Sequence, residues 1–363
     1  METGERSVRL HLVLRDPSAG RDWLASGIAV VASMAITGVL ILLADANPVT
    51  GFVIMFKAAF VGKIAITETL ARAAPILLTG LAAIVALRVR FWNIGAEGQL
   101  LVGAMAAAFV GTIAQLPAML LVPAMILAAM LAGGLAAAFP ALLKNRFRVN
   151  EVVSTLMLNF IIANMVTALL SGPWRDPVSG WPDSPDILAG AEWPTYWRGT
   201  NLHLGVVLAV IAAVAVAVLL RRTTFGLMMD VVGDNPVAAS HARIDVRRTV
   251  LISALLSGAL AGLAGAGEVG GIQYQAMISI SSGYGYAGLI VAMLARLSPL
   301  AAVPAAIFLA SLMTGSDEMS RQLGVPSFLA DAVQGIALLA VLIASQFARY
   351  RIVVYWGSRS SAR

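Results

Sequence analysis

The sequence contains no cysteine, and it carries few charged residues. Without cysteine the chain has no disulfide, no thiolate metal site and no cysteine nucleophile. Its three histidines (His11, His203 and His241) are far apart in sequence and offer no histidine-based metal cluster. The G-x-x-x-x-G-K-[ST] motif is missing as well, so the chain does not bind ATP through a P-loop. We therefore expect neither catalytic residues nor a metal in this chain.

The composition is that of a membrane protein. Charged residues make up only 12% of the chain and hydrophobic residues 59%, with a mean hydropathy of +0.86, whereas soluble domains are about 25% charged. The net charge of +6 would suggest a nucleic-acid partner for a soluble protein. For this membrane protein we expect lipid as a partner, and we do not expect nucleic acid.

Apolar runs predict an all-α polytopic membrane protein with about ten transmembrane helices. The run at 52–60 contains Lys57 and is too short to span, so we interpret it as an interfacial or re-entrant helix. In order, the predicted spans are 23–44, 73–87, 100–114, 118–143, 152–170, 202–220, 250–266, 284–295, 299–314 and 327–347.

The distribution of basic residues predicts the orientation. With both termini in the cytoplasm, 19 of the 25 Lys and Arg residues fall on the cytoplasmic side, as the positive-inside rule requires. The expected organisation is then a cytoplasmic N-terminal tail (1–22), a transmembrane domain (23–348) and a basic cytoplasmic tail (349–363). Within the domain, 172–201 form an outer loop and 221–249 a cytoplasmic loop.

An internal repeat is also predicted. The segment Gly95–Met105 can be laid on Gly283–Met293 with four identical positions, which places Glu97 opposite Gly285. In the expected topology, spans 2–5 and 7–10 are then inverted copies of each other. Inverted repeats with discontinuous helices are a recurrent design of transporters.

The cytoplasmic loop contains a helix start signal. Asn235 is a suitable N-cap and Pro236 suits the first helical position, so we expect a short helix that continues from Val237 to Ala242. A capped helix between two spans offers a surface for a partner protein. The alternative is an ordinary basic loop.

Polar residues between spans 2 and 3 are candidates for a transport pathway, because non-helical backbone at membrane depth occurs only where protein or water satisfies it. The candidates there are Phe91, Trp92, Asn93, Glu97 and Gln99. The alternative is a cytoplasmic turn in which Glu97 pairs with Arg88 or Arg90.

Four further pathway candidates lie elsewhere, namely Asn159, Glu268, Tyr284 and Tyr286. Asn159 could equally stabilise helix packing by a hydrogen bond to a neighbouring helix. The tyrosines could belong to an interfacial aromatic belt. The stripe from Ser257 to Gly267 contains one GxxxG motif, from Gly258 to Gly262, for which close helix packing is a sufficient explanation.

Three blocks of the sequence resemble a known family. FWNIGAEGQLLVGA (91–104), NEVVSTLMLNFI (150–161) and GDNPVAA (233–239) followed by SGALAGLAGAGEV (257–269) are similar to the permease subunits of bacterial ABC importers for nucleosides. These belong to a wider group for simple sugars and branched-chain amino acids. The resemblance covers roughly residues 70–345.

The resemblance implies a location in the bacterial plasma (inner) membrane and several partners. It implies a second, non-identical permease subunit, two ATPase subunits that bind ATP and Mg²⁺, and a lipoprotein or periplasmic substrate-binding protein. It also implies that the coupling helix, which enters a groove of the ATPase, comprises Gly233, Asp234, Asn235, Pro236, Val237, Ala238 and Ala239.

One departure from the family pattern lies at His241-Ala242-Arg243-Ile244, where relatives have an aromatic residue followed by Ala-Gly-Ile. The missing glycine removes an easy left-handed C-cap and leaves the end of the helix and the choice of ATPase open. Three alternatives to a nucleoside importer remain at this point. They are the same machinery for a simple sugar or a riboflavin-like heterocycle, an ion-coupled secondary transporter, and a membrane protein with no transport role.

Overall fold

The computed structural model describes residues 7–14, 31, 34–113, 116–326, 328, 332, 335, 336, 339, 343 and 350–357. These divide into two compact units. Residues 55–315 form the larger unit, and the described residues before 55 and after 315 form the smaller one. As predicted, the membrane part of the described chain is helical.

The helices follow one another with short connections, apart from two longer irregular segments before α7 and α11. In chain order they are α1 (Met34–Leu43), α2 (Pro48–Phe60), α3 (Lys63–Arg88), α4 (Ala96–Ile113), α5 (Ala118–Phe147), α6 (Glu151–Ser171), α7 (Leu204–Arg222), α8 (Thr224–Asp234), α9 (Pro236–His241), α10 (Val246–Glu268), α11 (Tyr284–Leu294) and α12 (Pro299–Leu323).

Three smaller elements complete the described chain. A 3₁₀ turn covers Ala189–Ala191, and a π-helical turn at Val269–Gln273 continues α10. Near the two ends of the chain, β1 (Ser7–Leu14) and β2 (Tyr350–Gly357) pair as an antiparallel two-stranded sheet. The prediction of an all-α protein did not include these two strands.

Seven of the described helices are long and apolar enough to cross a membrane, or eight if α1 and α2, bent by 116°, form one broken span. The seven are α3 to α7, α10 and α12, which confirms predicted spans 2 to 7 and 9. Span 8 corresponds to α11, whose 11 residues fall short of the roughly 20 needed to cross alone. Predicted span 1 is described from residue 34 onward, where it forms α1, whereas predicted span 10 lies largely outside the described residues.

The start of α3 differs from the prediction. The span was expected to begin at residue 73, but the helix begins ten residues earlier at Lys63, because neighbouring groups satisfy its charged side chains. Lys63 Nζ donates to the carbonyl oxygen of Arg198 at 2.7 Å. Asn201 Nδ2 donates to Glu68 Oε2, also at 2.7 Å. The segment before α7 thus holds the first turns of α3.

Helix α10 is at the centre of the larger unit and packs against α3, α4 and α5. Its small residues allow this close approach. A Cβ atom on Gly258 would overlap the carbonyl oxygen of Gly133 in α5, and one on Gly262 would overlap that of Ala129. The GxxxG motif is therefore a packing surface, as predicted.

The segment between α6 and α7 lies across the end of α10. The backbone N–H of Trp193 donates to the carbonyl oxygen of Gly270, and that of Ile187 donates to Tyr274, both at 2.8 Å. The side chains of Trp193 and His203 are buried, and neither Gly270 nor Gly271 leaves room for a Cβ atom beside them. Two aromatic rings and two glycines thus join this segment to the π-helical turn.

This junction should make the protein sensitive to acid. His203 Nδ1 accepts a hydrogen bond from Gly205 N at 3.0 Å, which requires the neutral ring, and burial lowers the pKa of His203 from 6.5 to about 4. Below pH 6.5 His203 binds a proton in the unfolded chain, whereas in the folded chain it stays neutral until the pH approaches 4. Stability contributed by the neutral ring is therefore full above that pH and falls as the pH drops toward 4. Between pH 7.5 and pH 5 we expect a loss of about 2 kcal/mol.

Thermal unfolding of the purified protein at the two pH values measures this loss. The control is His203→Asn, which keeps an N-cap acceptor but does not titrate. The variant should show a smaller decrease in melting temperature at pH 5 than the wild type. The same decrease in both proteins would contradict the assignment to His203.

Candidate functional site

The first candidate site is the break between α3 and α4. The helix ends at Arg88, and Arg90 follows in the left-handed region with φ 50°. This allows Phe91 N–H to donate back to the carbonyl oxygen of Ala86 at 3.1 Å. Phe91 is fully buried as a result, whereas Trp92 is 42% exposed. The chain thus changes direction inside the protein and begins α4 at Ala96.

Two amide side chains close this break. Asn93 Nδ2 donates to Gln99 Oε1 and Gln99 Nε2 donates to Asn93 Oδ1, both at 2.8 Å. Asn93 Nδ2 also donates to Ser257 Oγ at 2.8 Å, and Ser257 Oγ donates to the carbonyl oxygen of Ala82 at 2.7 Å. All three polar side chains are buried. The reciprocal pair therefore ties the break to α3, α4 and α10.

Asn159 of α6 binds the other side of the break. Its Oδ1 accepts from Gly98 N–H and its Nδ2 donates to the carbonyl oxygen of Ile94, both at 2.9 Å. The same Nδ2 lies 3.3 Å from the hydroxyl oxygen of Tyr286 in α11. Asn159 thus bonds across helices, one of the two roles that the sequence left open for it.

Glu97 joins the starts of two helices. It lies in the first turn of α4, and its Oε2 accepts a hydrogen bond at 2.7 Å from Gly285 N–H in the first turn of α11. The positive ends of both helix dipoles therefore face this carboxylate. Arg88, one of the two arginines considered as a partner for Glu97, pairs instead with Asp230 at 2.8 Å.

The remaining two pathway candidates lie together where α10 ends and α11 begins. Glu268 and Tyr284 are both buried. Glu268 interacts electrostatically with Arg72 and Glu68 of α3, and the hydroxyl of Tyr284 hydrogen-bonds with Arg72. Thr79 Oγ1 donates to the carbonyl oxygen of Tyr284 at 2.8 Å. These contacts attach the start of α11 to α3.

The nine pathway candidates thus fall into three groups by exposure. Trp92 and Tyr286 are 42% and 41% exposed and can contact a solute or a partner in this conformation. Glu97 is half-buried. The other six are buried among protein groups: Phe91, Asn93, Gln99, Asn159, Glu268 and Tyr284.

Three polar residues of these contacts, Ser257, Arg72 and Thr79, are not among the candidates predicted from the sequence. Ser257 enters the prediction only as the start of the small-residue stripe. A hydroxyl or a charged group within a long apolar run is the signal that would have drawn attention to each of them, because such groups need a partner at membrane depth.

The second candidate site is the short helix α9. Asn235 Oδ1 accepts from Val237 N–H at 3.0 Å and from Ala238 N–H at 3.1 Å, and Pro236 occupies the first turn, so the predicted N-cap is confirmed. The residues from Asp234 to Ala238 are exposed, whereas Gly233 and Ala239 are buried. An open groove beside the helix is lined by Pro236, Val237, Ser240, Arg243, Ile244 and Arg247, among others.

Helix α9 ends without the glycine that the resemblance leads one to expect. Arg243 adopts the left-handed conformation with φ 62°. Ile244 N–H then donates to the carbonyl oxygen of Ala239 at 3.0 Å, which closes the helix. The helix therefore ends where a glycine cap would end it, at the energetic cost of placing an arginine in that region.

Neither site has the ligands of a metal centre. Across the residues that the structure describes, no group of three or more His, Asp and Glu side chains is placed to hold a metal ion.

A bundle of membrane-spanning helices with a buried break and an exposed capped helix defines a multi-pass membrane protein. Residues 65–342 match the family described as the permease component of branched-chain amino acid transport systems, and the chain belongs to this family.

Relatives with known roles are similar over most of their length. A glucose ABC transporter permease protein of Haloferax volcanii is 33% identical over 352 residues, covering 93% of each chain. A guanosine ABC transporter permease protein of Bacillus subtilis is 34% identical, covering 88% of this chain and 92% of its own. A nucleoside ABC transporter permease protein of Lactococcus lactis is 30% identical, covering 87% and 89%.

The reciprocal amide pair should be important for stability. Replacing Gln99 with Ala leaves the buried amide of Asn93 without two of its partners, so we expect a loss of about 1–3 kcal/mol in the free energy of unfolding. The matched control is Asn164→Ala on α6, where an exposed amide donates to the carbonyl oxygen of Phe160 in its own helix. Thermal unfolding of the purified variants measures both changes. Equal losses at the two positions would show that the pair has no special role.

Proposed function

We propose that this chain is the transmembrane permease subunit of an ATP-driven ABC importer and forms the translocation pathway for nucleosides by alternating access. The observation that carries the proposal is an exposed, capped helix, α9, next to a helix α8 that contacts α3 at the residue before the break. ATP binding and hydrolysis take place on separate ATPase subunits, and they give the cycle its direction.

Docking of the ATPase is proposed at the coupling segment, Gly233 to Ala239. Val237 is 66% exposed there, and an apolar side chain that projects from a helix into water is suited to a groove on a partner. The Asn235 cap keeps this short helix formed without a partner.

The pathway is proposed to pass along the break. Trp92 and Tyr286 offer exposed aromatic faces for a planar base. The buried members (Phe91, Asn93, Gln99 and Asn159) hold the shape of the break, and Glu97, Glu268 and Tyr284 hold the start of α11 against α3 and α4. The cluster around Glu268 then becomes accessible only in another state of the cycle.

Two contacts support the inverted repeat and the placement of the termini. Glu97 and Gly285 are equivalent positions of the two repeats, and they touch each other. Equivalent residues meet where a pseudo-two-fold axis passes, so the axis lies between the starts of α4 and α11. The pairing of β1 with β2 joins segments near the two ends of the chain, which agrees with an even number of spans and both termini on one side of the membrane.

A second, non-identical permease is the proposed membrane partner, with a substrate-binding lipoprotein or periplasmic protein on the outer side of the bacterial inner membrane. Helices α5 and α6 leave most of their surface uncovered in the single chain. The exposed side chains of α5 recur every four residues and form an apolar stripe: Leu127, Leu131, Leu135 and Phe139. Such a stripe suits lipid or another membrane helix.

The resemblance and two of the relatives support a nucleoside as the transported solute. The relative that is a glucose permease makes a sugar the second candidate. Uptake of a labelled nucleoside is measured in cells that express the complete transporter. Unlabelled guanosine should inhibit this uptake, and glucose should not. Trp92→Ala should reduce that uptake, because a stacking face is lost. Inhibition by glucose alone, with Trp92→Ala unchanged, would support the sugar and place the pathway elsewhere.

The docking site is tested by affinity purification from native membranes in mild detergent. Wild type should bring down an ATPase and a second permease. Val237→Asp should keep the permease and lose the ATPase, because a charge replaces the apolar contact. The control is Val178→Asp on the outer segment, where the side chain is 92% exposed, and it should keep both partners. A wild-type chain that is purified alone and transports without ATP would refute the importer.

A further inference from the structure

Helix α8, which leads into α9, is fastened to the last residue of α3 in two places. Asp230 Oδ1 accepts from Arg88 Nη1 at 2.8 Å. One turn later, Gly233 lies against the backbone of the same arginine, where a Cβ atom would overlap the carbonyl oxygen of Arg88 and lie 3.6 Å from Val89 Cα. Both contacts hold a single residue, one by its side chain and one by its main chain.

The Arg88–Asp230 ion pair contributes little to the stability of the fold. The two side chains are 31% and 40% exposed, and ion pairs in such positions contribute little to folding. The Nε atom of Arg88 is buried and has no hydrogen-bond partner among the residues that the structure describes. The guanidinium thus holds Asp230 through one nitrogen, although its planar fork can hold a carboxylate through two. What the pair provides in this structure is a defined position of α8 relative to α3.

Arg88 is directly followed by the break. Only Val89 and Arg90 separate it from Phe91, whose N–H closes the end of α3. Two residues later, Asn93 bonds to Gln99 of α4 and Ser257 of α10. The path from α8 to the start of α4 therefore consists of one ion pair, one glycine contact, a tight turn and an amide pair, without a flexible loop.

We propose that Arg88, held by Asp230 and Gly233, passes movement of the coupling helix to the break between α3 and α4. This inference rests on the proposed docking of an ATPase at α9. Asp230 and Gly233 are positioning residues, since they act through Arg88 and not on the transported solute. A shift of α8 moves the end of α3, and the amide pair carries that shift to α4.

The test is the Asp230→Asn variant in the complete transporter, reconstituted in liposomes. The readout is the amount of guanosine transported per ATP hydrolysed, together with the amount of ATPase bound. We expect normal ATPase content and a ratio reduced roughly five-fold or more, the usual lower range for coupling between sites. Asp230→Glu, which keeps the charge, should recover much of the ratio, and Gly233→Ala should lower it.

The matched control is Asp186→Asn, the same chemical change at an exposed aspartate of the outer segment, which should leave the ratio at the wild-type value. An unchanged ratio in Asp230→Asn overturns the proposal. Loss of the ATPase from Asp230→Asn also overturns it, because the pair would then serve docking alone. A wild-type preparation without any ATPase would instead refute the proposed function.

Discussion

The structure depends on the reciprocal amide bonds between Asn93 and Gln99. A chain that changes direction inside a protein leaves backbone groups that need hydrogen-bond partners. Here the two amides satisfy each other at 2.8 Å, and Ser257 and Asn159 bond to the groups that remain. Helix α4 can therefore start within the protein, and Glu97 can reach the start of α11.

Small residues make this arrangement possible. The stripe on α10 lets α4 and α5 approach at backbone contact, which brings Ser257 within reach of Asn93. Gly285 and Gly233 play the same part elsewhere, since each lies against the backbone of another helix. Close packing and buried polar bonds thus occur at the same places, and each depends on the other.

Local features of this fold could be predicted from the sequence, whereas long-range contacts could not. The cap at Asn235, the GxxxG surface and most helix positions follow from neighbouring residues, and all were confirmed. The partners of Arg88 and Asn93 could not be predicted, because Asp230 and Ser257 lie 142 and 164 positions away. The early start of α3 was missed for the same reason, since Lys63 and Glu68 are satisfied by residues beyond 197.

The central claim is that the coupling helix and the break move as one body, and the absence of cysteine makes it directly measurable. Spin labels at introduced cysteines replacing the exposed His241 and Arg90 report the distance between α9 and the break by electron paramagnetic resonance. A second pair, at His241 and Val178, reports movement across the protein. On addition of ATP to the complete transporter, the first distance should stay constant while the second changes. A change in the first distance would contradict the account.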